Sequence, residues 1–69
     1  MPEISRFLGI VIGMFYNDHN PPHFHASYGE HEVTIGIRDG AILWGSLPRR
    51  ALGHVQEWRQ AHVADLEEN

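Results

Sequence analysis

The sequence contains no cysteine and no lysine, and its longest apolar stretch, residues 7–15, is interrupted by Gly9 and Gly13. Without cysteine there can be no disulfide framework, no thiolate metal site and no cysteine nucleophile, and a reducing compartment is the natural setting. The apolar stretch falls far short of the ~20 residues needed to span a bilayer. The opening Met-Pro-Glu-Ile-Ser-Arg has balanced charge and is followed by no small-residue cleavage site, so no signal peptide is expected and the protein is expected to be cytoplasmic. All five basic side chains are arginine and the formal net charge is −4, which argues against general electrostatic capture of nucleic acid.

The 69 residues are 42% hydrophobic, with two Trp, three Phe and two Tyr. That is enough apolar material for one packed domain over residues 1–69, close to the size at which only about 60% of the unfolded surface can be buried. No repeat, low-complexity tract or linker divides it. Residues Arg6 to Tyr16 read as a first strand, with Ile10, Ile12, Met14 and Tyr16 on one face and Val11 and Phe15 on the other. His23 to Tyr28 and His31 to Ile37 read as two more strands around a Gly29-Glu30 turn. Asp39-Gly40 is a hairpin signal leading into a strand over Ala41 to Leu47. After Ser46, a candidate N-cap, the sequence from Arg49 to Glu68 places Ala51, Leu52, Val55, Trp58, Ala61 and Leu66 at helical spacing. The expected fold is α+β: an antiparallel meander of about four strands, then one amphipathic C-terminal helix packed on the sheet.

Six histidines are an excess for this length, and the segment Asp18-His19-Asn20-Pro21-Pro22-His23-Phe24-His25 concentrates three of them around two prolines. On a strand, His23 and His25 share a face while Phe24 points into the opposite layer. Asp18 and His19 lie on the proline-stiffened connection just before them. Three chemistries fit these residue types. His19, His23, His25 and Asp18 can ligate a divalent metal such as Zn, Ni, Cu or Mn. His19, His23 and His25 can act without metal as general acid and base. Or Asp18 and Asn20 make turns while the imidazoles bond backbone carbonyls at a sheet end. Arg49 and Arg50 stand in the first helical turn, where the macrodipole favours acidic residues, and so are candidates for binding an anion or a partner's carboxylates. The plainer alternative is a solvated pair reaching Asp39 or Glu57. His31, His54 and His62 read as surface or hairpin-edge residues. One helix leaves one sheet face to cover, so at least one of Trp44 and Trp58 is expected in an intersubunit or partner contact.

With Met-Pro-Glu-Ile at the start, Asp-His-Asn-Pro-Pro-His-Phe-His at 18–25, Gly-Glu at 29–30 and Leu-Pro-Arg-Arg-Ala-Leu at 47–52, the chain resembles the bacterial family known as domain of unknown function 4160. The resemblance extends over nearly the whole length. It implies a short prokaryotic protein encoded beside another small protein in a toxin–antitoxin-like arrangement, and it carries over no catalytic residue. Together with the residue reading it favours a cytoplasmic protein-binding or regulatory module that works with a small protein partner, as a homo-oligomer, or both. The alternative is an enzyme, a toxin-type ribonuclease or other phosphodiesterase using His19, His23 and His25 with Arg49 or Arg50. A DNA-binding regulator ranks third, because the helix carries Arg49, Arg50 and Arg59 against Glu57, Asp65, Glu67 and Glu68.

Overall fold

Five strands and one helix succeed one another along the chain in the computed structural model, which describes residues 3–14 and 22–68. The strands are β1 (Glu3–Phe7), β2 (Ile10–Gly13), β3 (His23–Tyr28), β4 (His31–Gly36) and β5 (Ile42–Ser46), and the helix is α1 (Arg49–Glu68). Each strand pairs antiparallel with the next, giving a meander in the order β1-β2-β3-β4-β5. The α+β architecture and the single C-terminal helix are as the sequence indicates, with five strands instead of about four. Among the described residues no helix is long and apolar enough to cross a membrane.

The additional strand comes from a turn hidden inside the apolar stretch. Residues 6–16 do not form one strand, because Leu8 and Gly9 both adopt positive φ, 51° and 78°, and turn Phe7 back onto Ile10. Positive φ at both central residues is the signature of a type I′ turn, whose twist matches that of the strands it joins. Leu-Gly is an unusual dipeptide for it: a side chain in the left-handed region costs roughly 1–2 kcal/mol, and Leu8 is the one described non-glycine residue that adopts it. The Gly29-Glu30 turn forms as expected, with positive φ at Gly29. The β4–β5 connection is a hairpin but wider than Asp39-Gly40 alone. Gly36 N–H donates to the Ala41 carbonyl at 2.9 Å, Gly40 N–H donates to the Gly36 carbonyl at 3.0 Å, and the Asp39 carboxylate accepts from Ala41 N–H at 3.0 Å.

Period-two alternation puts Ile10, Ile12, Phe24, Ala26, Val33 and Ile35 on one sheet face, all fully buried. The helix covers that face with Ala51, Val55 and Leu66, while Leu52, Trp58 and Val63 pack against the cluster from its margin. Ala61, expected in the apolar stripe, is exposed; the stripe passes instead through His62, which stacks on Trp58 with ring centroids 4.6 Å apart. Trp58 also meets Phe24 at 5.5 Å and Phe7 at 6.4 Å, so it belongs to the core margin and not to a free surface. Ser46 closes β5 and does not cap the helix: Leu52 N–H donates to the Pro48 carbonyl at 2.9 Å, which makes Pro48 the residue at the cap. Two side chains of α1 hold the β4–β5 turn in place. Arg59 donates to the carbonyls of Ile37 (2.9 Å) and Arg38 (3.3 Å), and Gln56 donates to the Gly40 carbonyl at 2.9 Å.

Candidate functional site on the open face of the sheet

The sheet face turned away from α1 carries the side chains that alternate with the core. Register places Gly13, His25, Thr34 and Trp44 in one row across four strands, with His23 diagonal to the row on β3. The same alternation that buries Phe24 therefore presents both histidines, each half-buried, on the face opposite α1, as the sequence spacing implies. Their rings meet edge to face, with centroids 5.3 Å apart and an interplanar angle of 84°. A hydrogen bond of 3.1 Å joins the Thr34 hydroxyl to His25 Nδ1. With Nδ1 engaged in this way, a metal held by His25 would sit at Nε2 and require the tautomer in which Nδ1–H donates to Thr34.

Asp18 and His19, the other two members of the candidate metal set, lie outside the described residues. Among the described residues no group of three or more His, Asp or Glu gathers as a metal site, so the sheet itself contributes a two-imidazole platform. At the end of the row Trp44 stands 66% exposed on β5, an edge strand whose five residues are all exposed. On the opposite edge Glu3 accepts hydrogen bonds from Arg6 at 2.8 and 3.2 Å. This bond holds the Glu3 carboxyl below its ordinary value and raises that of Arg6. Any stability from this exposed pair is present at neutral pH and lost as Glu3 protonates, and solvent screening keeps it small.

Arg49 and Arg50 sit elsewhere. Both are exposed in the first turn of α1, where they line a shallow cleft with Gly53, His54 and Glu57. Neither makes an ion pair with Asp39 or Glu57. The helix packs on the core face, so the sheet stands between these arginines and the two described imidazoles. Arg50 also borders a cavity with Tyr28, which ends β3 at about 16 Å from the His23 end at ~3.3 Å per residue. The structure thus brings His23 together with His25, and Arg49 with Arg50, without joining the pairs.

Residues 9–69 match the family model described as Domain of unknown function (DUF4160). The chain belongs to that family. The matched region of this DUF4160 protein takes in the histidine platform, β5 and the arginine pair, whereas β1 and Leu8 precede it. Comparison with curated proteins and with solved structures found no match.

Several contributing residues carry little sequence signal. Arg59 and Gln56 look like solvated helix residues until the β4–β5 turn is placed against them. Thr34 reaches His25 only through strand register, although both are separated from their turn by comparable distances along the hairpin. His54 is the exception: its spacing of four from Arg50 puts the two on one helix face.

Proposed function

We propose that this DUF4160 protein is a small cytoplasmic protein-binding module, the regulatory component of a toxin–antitoxin-like two-gene system, and that it engages its partner through β5 and the open sheet face. One observation carries the reading. Among the described residues β5 is an edge strand with no neighbouring strand on its outer side, and it exposes three consecutive large apolar residues, Ile42 (50%), Leu43 (43%) and Trp44 (66%). Such an edge is a template for addition of a strand from another chain, with backbone hydrogen bonds supplying affinity and alternate side chains supplying specificity. An exposed Trp beside Thr34 and the imidazoles is the kind of residue that dominates interface energies. The partner we favour is the product of the neighbouring gene.

The enzyme alternative draws less support, since a phosphate held by Arg49 and Arg50 would lie across the sheet from His23 and His25. Direct DNA reading also loses ground, because Arg59 is engaged with turn carbonyls and leaves two arginines on the helix for phosphates. The test is co-expression with the adjacent gene product. We expect a stable complex whose affinity falls at least about tenfold on combining Leu43→Lys with Trp44→Ala, with the melting temperature nearly unchanged. A complex indifferent to both changes overturns the β5 assignment, and self-association through β5 in the partner's absence identifies a homo-oligomer instead. Growth arrest by the protein alone, abolished by His23→Ala with His25→Ala, favours the enzyme.

A further inference from the structure

Beside the Leu8-Gly9 turn, on the flank of α1 opposite to the histidine face, runs a groove that β5 does not touch. At one end it deepens to a cavity of about 340 Å³, walled by Leu8, Ile10, Tyr28, Pro48 and Ala51. At the other it continues as the shallow cleft of Arg49, Gly53 and Glu57, and Arg50 and His54 border both parts. The deep end is apolar and falls in the size range of ligand-binding cavities. The shared wall carries the Arg50 guanidinium, on a chain whose formal net charge is −4.

Two independent features point to an occupant. Neither Arg49 nor Arg50 makes a hydrogen bond or ion pair with another described residue, and the first turn of α1 contains no acidic side chain. At the apolar end, Leu8 keeps 69% of its surface exposed while held in a left-handed conformation that Asn or Gly adopts with less strain. A β-carbon on Gly9 would lie 3.3 Å from the Tyr28 ring, so the turn and the ring are in close register and hold Leu8 at the lip of the cavity. Sparsely populated backbone conformations of this kind cluster at active sites and ligand clamps. The apolar and cationic parts lie side by side and share Arg50 and His54, which suits a peptide segment carrying both an apolar side chain and a carboxylate.

We infer that this groove binds an extended peptide segment of a protein partner, with an apolar side chain seated among Leu8, Ile10, Tyr28 and Ala51 and an adjacent carboxylate paired with Arg50 and Arg49. Glu57 closes the far end with like charge and confines the carboxylate to the arginine half. The inference rests on the protein-binding reading but concerns a second surface, so its failure is separable from that of β5.

The experiment is an amide NMR titration of the full chain with acetyl-Gly-Leu-Asp-Asp-Gly-amide. Saturable shifts are expected at Leu8, Gly9, Tyr28 and the first turns of α1. The matched peptide acetyl-Gly-Leu-Lys-Lys-Gly-amide should give none. Arg50→Glu, at an exposed position, should weaken binding at least about tenfold, as expected for loss and reversal of a charge-assisted contact. Leu8→Asn should weaken binding while raising the melting temperature by a few degrees, a combination that loss of folding cannot produce. The variant combining Leu43→Lys with Trp44→Ala should bind the acidic peptide as well as the parent. Equal response to the basic peptide, shifts centred elsewhere, or indifference to Arg50→Glu overturns the inference. Sodium hexanoate reproducing the same shifts at the same concentration reassigns the groove to small free acids and also overturns it.

Discussion

A methyl group on Gly45 would have nowhere to go. The residue has φ of 77°, and its β-carbon would press against the Glu32 carbonyl of the neighbouring strand, a backbone atom that cannot swing aside. Gly45→Ala is therefore expected to destabilise the fold by about 2 kcal/mol or more, from left-handed strain and displacement of the β4–β5 pairing together. Gly53, on the exposed side of α1, has nothing within 4 Å of the same added atom and no positive φ. Gly53→Ala should instead stabilise by roughly 0.5–1 kcal/mol, the helix-propensity difference. Urea denaturation of the two variants beside the parent checks both signs. Nothing in the sequence around these residues distinguishes them so sharply. Gly45 stands in a strand pattern and Gly53 in a helical one, and only the neighbouring strand's backbone makes one of them irreplaceable.

Helix and turn constrain each other at the level of elements. Arg59 reaches the carbonyls of Ile37 and Arg38 and accepts orientation from Gln56, whose Oε1 lies 3.1 Å from Arg59 Nε while its amide holds the Gly40 carbonyl. Removing a charged donor from such partly buried carbonyls costs about 1.5–3 kcal/mol, so Arg59→Ala should lower stability by that amount. In a double-mutant cycle with Gln56→Ala the two losses should sum to more than the double variant shows, because both side chains serve one turn. The β3–β4 hairpin and α1 are legible in the sequence, since alternation over His23 to Ile37 and the 3.6-residue period after Pro48 are each supported by turn or breaker residues. The β1–β2 hairpin is not. Its turn falls in mid-pattern at Leu8, which has none of the local chemistry that favours φ above zero, and alternation continues across it. Ser46 misleads for a related reason. A capping side chain three residues before the helix counts for nothing when the sheet claims its backbone first.

For the whole molecule, the decisive fact is which side of the sheet each candidate residue occupies. His23 and His25 face away from α1, and Arg49 and Arg50 stand on it. Whether the imidazoles serve a metal is open to direct measurement on untagged protein by elemental analysis and calorimetry with Zn²⁺. If the Asp18, His19, His23 and His25 set assembles, one equivalent of metal is expected, lost in His25→Ala and bound about 10–100-fold more weakly in Thr34→Val, which removes the hydrogen bond orienting the ring. An equal metal content in the parent and in His23→Ala with His25→Ala removes the metal from the account and leaves the pair as part of a contact face. The sequence by itself determined the α+β class, the helix and its span, the burial of Phe24, and the shared face of His23 and His25. These follow from local periodicity, which each residue carries with it wherever the chain goes. Tertiary structure alone decided that the Leu8-Gly9 turn divides the first strand, that Trp58 packs at the core margin while Trp44 is exposed, that Arg59 braces a turn, and that the arginine and histidine pairs lie apart. Each of these depends on which distant segment comes to rest against the residue, and neither composition nor spacing encodes that neighbour.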